Sequence, residues 1–339
     1  MNVTREDVVP ELVAVTGADG FIGSHLVEAL VRAGHRVRAM ALYNSMGSWG
    51  WLEHLDADVL ASVEVQLGDV RDRDSVLAFV RDASTVYHLA ALIAIPYSYQ
   101  APTSYAETNT LGSLNVLEAA RALGTPRVVQ TSTSEVYGTA RCVPMDESHP
   151  LQAQSPYAAS KIGADKLAES YHLSFGLPVV VVRPFNTFGP RQSARAVIPT
   201  VISQAAAGAR TVQVGSLEPV RDFTFVRDTA AAFVHAGTAP AEEVVGEVLN
   251  AGTGRGISVG DLVSLIGEVM GTRIEAVLDP QRLRPPKSEV MQLVCDANKL
   301  NKLTAWAPNF TLEQGLGLTA AWFSDPVNLA RYKTNVYNV

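Results

Sequence analysis

Leu12-Val13-Ala14-Val15-Thr16-Gly17-Ala18-Asp19-Gly20-Phe21-Ile22-Gly23 decides the fold. An apolar run enters a glycine turn, and the residues behind it (Phe21, Ile22, Leu26, Leu30) repeat at helical spacing, so the stretch reads strand, turn, helix. Gly17 permits the tight turn, Gly20 lets the backbone approach a pyrophosphate, and Gly23 lets the helix pack close to the sheet. N–H groups at the helix start then receive the negative charge. A lone glycine triplet is a weak signal, but with a strand before it and a helix after it the reading is a dinucleotide site.

Outward from that turn, apolar strand candidates recur at 12–16, 36–41, 63–68, 85–90, 127–132 and 178–183, separated by amphipathic stretches. The alternation predicts an α/β fold with a Rossmann-like, doubly wound parallel sheet. Gly34 is placed to close the first helix and Gly124 to stop a long helical stretch over 104–123. After Pro184 prolines and glycines become frequent and helical pieces mix with short strands. We expect a dinucleotide-binding domain over 1–185, a returning segment near 221–250, and a smaller substrate-binding lobe over 186–339.

The chain has 339 residues, 47% hydrophobic and 18% charged, enough for a large core and a second lobe. A net charge of -7 opposes a nucleic-acid partner, which needs a basic stripe. Cys142 and Cys295 stand far apart and outside metal or redox spacing, as ordinary thiols of a reducing compartment do. The first 15 residues carry acids where a secretory signal needs a basic patch, and no run approaches the roughly 18 apolar residues of a membrane span. A cytoplasmic protein without a membrane partner is the expectation. The 7 histidines show no ligand spacing, so no metal is expected, and His88 reads as a strand-end residue beside a cofactor and not as a base. The basic, proline-stiffened stretch 280–287 reads as a loop, facing either an anionic ligand or solvent.

The second strand of such a sheet usually ends in an acid that binds the adenosine ribose. Here Ala41 stands in that place, in Arg38-Ala39-Met40-Ala41-Leu42-Tyr43-Asn44-Ser45. NAD and NADP are therefore both allowed, with Asn44, Ser45 or Arg38 available to a 2′-phosphate. Asp69 ends the third strand, placed to accept from the adenine amino group or to cap a helix.

Ser155-Pro156 reads as a helix start, serine capping and proline first. Tyr157 and Lys161 then share one face, one turn apart. A tyrosine is a poor base near its ordinary pKa of about 10, so the neighbouring ammonium and an oxidised nicotinamide are expected to favour the phenolate. The pair sits behind a strand that ends Thr131-Ser132-Thr133-Ser134-Glu135.

With these residues assembled, the chain resembles the extended short-chain dehydrogenase/reductase family, specifically its nucleotide-sugar epimerases and dehydratases. The resemblance runs nearly end to end, through 16–26, His88-Leu89-Ala90-Ala91, Asn109, Ser132–Gly138, Tyr157–Lys161, Arg183–Asn186, Arg221-Asp222-Phe223 and Asn250-Ala251-Gly252. Leu42–Ser45, Tyr97-Ser98-Tyr99 and 185–195 look most like the branch of nucleotide-activated N-acetylglucosamine 4,6-dehydratases. The resemblance implies a tightly bound, recycled NAD or NADP contacted by Gly17, Gly20, Phe21, Ile22, Gly23, Asn44, Ser45, Asp69, Val70, Leu89, Ala90, Ala91, Asn109, Tyr157 and Lys161.

It also implies chemistry. Tyr157 takes the proton of the sugar 4-hydroxyl, Thr133 bonds the same hydroxyl, and Glu135 removes the proton on carbon 5 and then protonates the leaving 6-hydroxyl. Ser134 precedes Glu135 where many glucose-nucleotide dehydratases have aspartate, and a serine is too weak an acid to serve alone. An oxidative decarboxylase of a nucleotide-linked glucuronic acid is the second reading, with Arg191 or Arg195 facing the carboxylate, and a 4-epimerase the third. A binding module that senses the cofactor without turnover is the reading from another class, opposed by the joint presence of Tyr157 and Lys161. Asn186, Arg221 and Arg284 are implied for the substrate diphosphate and Asn250 for the nucleobase. A homodimer is the family expectation, through helices carrying Leu111, Leu114, Leu117, Ile162 and Leu167.

Overall fold

The computed structural model describes residues 11–338. The N-terminal stretch 1–10, read above for the absence of a secretory pattern, lies outside the described residues. Six strands come in chain order: β1 (Leu12–Thr16), β2 (Arg36–Leu42), β3 (Val63–Gly68), β4 (Thr85–His88), β5 (Arg127–Thr131) and β6 (Val179–Pro184). A seventh, Val248–Ala251, returns from the C-terminal half to pair in parallel with β6. The resulting sheet has the order Val248–Ala251, β6, β5, β4, β1, β2, β3, and every pairing in it is parallel. Strand order reverses between β1 and β4, and ligands of such sheets bind in the crevice outside the carboxyl ends at that point.

Burial explains why the strands read as apolar runs: helices cover both faces of a parallel sheet. All of Val179 to Val182 in β6 are buried. The first helix (Phe21–Arg32) and the helix Val226–Thr238 pack on one face through Leu26, Val27, Leu30, Ala230 and Phe233. On the other, Val76, Phe79 and Val116 pack against Ala14 and Met40. β4 ends at His88, two residues before the expected boundary, because the N–H groups of Leu89 and Ala90 turn to the Thr16 hydroxyl.

The helical stretch expected over 104–123 is not regular. A π-helical turn at Ala106–Leu111 separates Pro102–Tyr105 from Gly112–Leu123. Such turns mark places where local geometry serves a particular side chain, and this one carries Asn109. Gly124 ends the helix in the left-handed conformation, φ 66°.

The remaining strands form two small sheets. Val220–Phe225 pairs with Asn186–Phe188, Gly256–Ser258 and Gln292–Leu293, while Thr211–Val214 pairs with Glu275–Leu278. A second core gathers Phe188, Ile198, Ile202, Phe223, Phe225, Leu262 and Phe323 beneath them.

Candidate active site

The glycine turn leaves no space for side chains where a cofactor must come close. Gly17 has φ +65°, and a Cβ there would lie 2.7 Å from the Ala90 nitrogen. A Cβ on Gly23 would lie 2.1 Å from the Gly17 carbonyl oxygen. The first helix starts at Phe21 and Ile22 with no side chain capping it, so its end is open to a phosphate. These residues fit a dinucleotide.

Around the turn, buried polar groups satisfy one another. His88 lies between the Thr16 hydroxyl (2.8 Å) and the Ser113 hydroxyl (3.0 Å), and burial lowers its pKa to about 3. It is a neutral spacer. The Asn109 carboxamide accepts from the Leu92 N–H (2.8 Å) and donates to the Leu92 carbonyl and the Ser160 hydroxyl (both 2.9 Å). That clamps the segment after β4, with half-buried Leu89, Ala90 and Ala91, to the helix carrying Tyr157. Val70 is buried against Gly112.

That helix, Pro156–Phe175, starts as its sequence predicts, with the Ser155 hydroxyl accepting from the Ala158 N–H. It carries Tyr157 and Lys161 into the interior beside the end of β5, and both are buried. The Lys161 ammonium donates to the Thr131 carbonyl (2.6 Å). Burial lowers its pKa to about 8, with the Asp165 carboxylate, one turn on, pulling the other way. Asp165 in turn accepts from Arg183 (2.9 Å) and Ser132 (2.7 Å). The phenolate of Tyr157 is expected to be favoured by this ammonium together with an oxidised nicotinamide; the protein's own groups on balance push the other way. Burial pushes that phenol up strongly, Glu135 adds to the push, and a hydrogen bond with Thr133 opposes it. The desolvation of a fully enclosed ring outweighs its polar neighbours. Tyr105, whose ring meets that of Tyr157 edge-on at 6.2 Å, is held in place by a hydrogen bond to the Ala94 carbonyl.

Thr133, Ser134 and Glu135 follow β5 in a tight turn in which the Thr133 hydroxyl accepts from the Glu135 N–H (3.2 Å). All three are buried. The Glu135 carboxylate lies close enough to act electrostatically on both Tyr157 and Arg221. Arg221 and Arg284 converge on Glu289, at 3.4 and 3.6 Å. The Asn186 side-chain oxygen and Arg284 Nη1 are buried without hydrogen-bond partners. The 280–287 loop runs on to Ser288, which bonds Tyr99 (2.6 Å) and the Gln154 carbonyl (2.6 Å) just before the Tyr157 helix.

Four of the expected contact residues have their side chains engaged within the protein. Asn250 is fully buried, with its side chain bonded to the Tyr137 hydroxyl (2.8 Å) and the Met145 carbonyl (3.1 Å), so it holds strands together and faces no nucleobase. Arg191 turns to the first helix, bonding Ser24 and Glu28. The Asn44 carboxamide is consumed within its own loop by Leu42, Met46 and Ser48. Asp69 holds the Arg71 guanidinium with both oxygens. Ser45 is exposed, and Arg195 is exposed yet near enough to act on Tyr105. Sequence reasoning missed Glu289, which no motif marks, and Asp165, which the helical spacing from Lys161 could have shown.

Among the described residues no cluster of acids, histidines or cysteines could hold a metal, and no helix is long and apolar enough to cross a membrane. A family model described as GDP-mannose 4,6 dehydratase matches residues 14–319. The chain is 33% identical over 316 residues to a UDP-glucose 4-epimerase of Mycolicibacterium smegmatis, covering 91% of this chain and 97% of that protein. It is 31% identical to a UDP-N-acetyl-alpha-D-glucosaminuronate decarboxylase of Bacillus cytotoxicus, covering 93% and 98%. The solved structure of a DesIV double mutant, a dTDP-glucose 4,6-dehydratase from Streptomyces venezuelae with NAD bound, superposes with a TM-score of 0.84 at 27% identity, covering 95% and 98%.

Fold and site together thus define an NAD(P)-dependent enzyme of nucleotide sugars, of the extended short-chain dehydrogenase/reductase type. Within it, the chain belongs to the family of that GDP-mannose 4,6 dehydratase model. Epimerases, dehydratases and a decarboxylase all stand among its relatives, so membership leaves the outcome of the reaction open.

Proposed function

We propose that this protein is a cytoplasmic nucleotide-sugar 4,6-dehydratase. The observation that carries the reading is the buried Glu135 carboxylate, set at the end of β5 between Tyr157 and Arg221. An epimerase has no use for a carboxylate there, since rotation of a keto sugar needs no acid.

A nicotinamide cofactor held by the glycine turn and the Tyr157 helix would supply a reversible hydride acceptor for the sugar. Tyr157 removes the proton of the 4-hydroxyl and Thr133 orients that hydroxyl, leaving a 4-ketone. The ketone acidifies carbon 5. Glu135 takes the carbon 5 proton, then gives it to the 6-hydroxyl as the C6–O bond breaks and water leaves. Carbon 5 is then reprotonated from solvent, which the proton taken up by Tyr157 replenishes, and with hydride return to carbon 6 the cofactor would not be consumed. Asn186, Arg221 and Arg284 hold the diphosphate, with donors suited to phosphate oxygens. Arg191 is engaged by Ser24 and Glu28 of the first helix, which weakens the decarboxylase reading and leaves it resting on Arg195. A homodimer is also proposed, through the helices Gly112–Leu123 and Pro156–Phe175; of the positions expected to face the partner Leu111 is exposed, whereas Leu117 is buried in the protein's own core and Leu167 packs against it. Light scattering of the purified chain tests it.

Mass spectrometry of reactions with a panel of nucleotide sugars tests the activity. Loss of one water supports the dehydratase, loss of carbon dioxide points to the decarboxylase, and a product of unchanged mass to the epimerase. Glu135→Gln is expected to keep cofactor binding and partial reduction while stopping water loss. Unchanged dehydration in that variant removes Glu135 from its role.

A further inference from the structure

The acid that usually ends the second strand is missing from its place in the sequence, and the fold brings another to the same spot. Asp19 belongs to the glycine turn, yet its Oδ2 accepts from the N–H of Leu42, the last residue of β2, at 3.1 Å. Its carbonyl accepts from the Trp51 N–H (3.0 Å), so both side chain and backbone are fixed against the 42–51 loop. Gly50 makes room for it: with φ +57°, a Cβ there would lie 2.7 Å from the Asp19 carbonyl oxygen. In a doubly wound sheet the adenosine ribose lies at this strand end.

Arg38 on the second strand and Arg71 just after the third are committed elsewhere, and the exposed Arg331 acts on Glu53 and His54 beyond the 42–51 loop. Arg38 bonds Glu64 (3.0 Å) and the carbonyls of Phe79 and Arg81. Arg71 closes its fork on Asp69, and the Asn44 carboxamide closes its own loop. Burial raises the Asp19 carboxyl above its ordinary range, the Leu42 N–H opposes this, and no arginine or lysine among the described residues contributes.

We propose that Asp19 selects NAD over NADP, its carboxylate accepting from the ribose 2′-hydroxyl and repelling a 2′-phosphate. The test is calorimetric titration of the intact chain with NAD and with NADP, together with chromatography of the nucleotide released when the protein as purified is denatured. NAD is expected in the released fraction, and NAD is expected to bind at least about tenfold more tightly, a difference of about 1.4 kcal/mol. Asp19→Asn keeps an acceptor for the Leu42 N–H but removes the charge, and should bring the two affinities within about threefold of each other. If Asp19→Asn does not fold, Asp19→Ser is titrated in the same way. Equal or tighter binding of NADP by the wild type overturns the proposal whatever the variants do, and so does a preference for NAD that survives loss of the charge.

Discussion

Around the glycine turn, buried polar groups close on one another: Thr16 with His88, His88 with Ser113, Asn109 with Leu92 and Ser160. Around Arg221 and Arg284 they do not. Two guanidinium groups share one carboxylate, the oxygen of Asn186 is buried with no hydrogen-bond partner, and Arg284 Nη1 is buried with only the 3.6 Å ion pair to Glu289. An unsatisfied buried polar group costs about 1–3 kcal/mol, so natural structures keep few of them. The half of the cleft beside the glycine turn is closed more completely, although Gln130 Oε1 next to Ser113 and Thr131 Oγ1 next to Lys161 are also buried without a partner; the half at Arg221 and Arg284, the diphosphate site proposed above, keeps hydrogen-bonding capacity for a ligand.

The contrast can be broken most sharply at Tyr157, where the halves meet. Tyr157→Phe should lower kcat by roughly 10²–10⁴-fold, the span typical of a lost acid–base group, with NAD affinity little changed. Turnover within tenfold of the wild type would show that the phenol is not the base. Next in size is Arg284→Ala, expected to raise KM for the nucleotide sugar by roughly ten- to a hundredfold, since hydrogen bonds to charged groups contribute about 1.5–3 kcal/mol. NAD affinity should not move. A parallel loss of NAD binding in calorimetry would merge the two halves into one unit. Gly17→Ala sharpens the opposite side: its positive φ and its contact with Ala90 predict a loss of about 1–3 kcal/mol in denaturant unfolding, with NAD binding weakened more than sugar binding.

The smallest effect concerns pH. The folded pKa of His88 is about 3 and its unfolded value 6.5, so below 6.5 the unfolded chain takes up a proton that the folded one refuses. Stability contributed by neutral His88 is complete above 6.5 and is lost as pH falls toward 3. His25, lowered to about 3 by burial and by Arg191, adds the same trend. Replacing His88 with glutamine should remove about one proton from the slope, about 1.4 kcal/mol per pH unit. Unfolding curves at a series of pH values between 6 and 4 measure it, and an unchanged slope would mean that the histidine is not buried neutral.

The same contrast governs what the sequence could reveal. The parallel strands are continuous apolar runs, because both faces of the sheet are covered, and the glycine turn has a fixed backbone requirement; both are local and legible. Tyr157 and Lys161 are legible for the same reason, one helical turn fixing their relation. Glu289 was invisible, because its meeting with Arg221 depends on the pairing of Gln292–Leu293 with Val220–Phe225, a contact between distant segments. Asn250 and Arg191 were misplaced because spacing says nothing of which way a side chain turns at a strand end or a positive-φ turn, and Arg191 has φ 70°. Asp19 was read only as a loop residue, although the fold lends it to the second strand.

The return of Val248–Ala251 to the main sheet has a consequence for dissection. A fragment ending near residue 185 would strip the outer neighbour from β6 and bare the hydrogen-bonding edge of Val179-Val180-Val181-Val182. An exposed, wholly apolar edge of this kind recruits other chains. The N-terminal half expressed alone should therefore gather into aggregates instead of binding nucleotide, and the two cores are expected to unfold together.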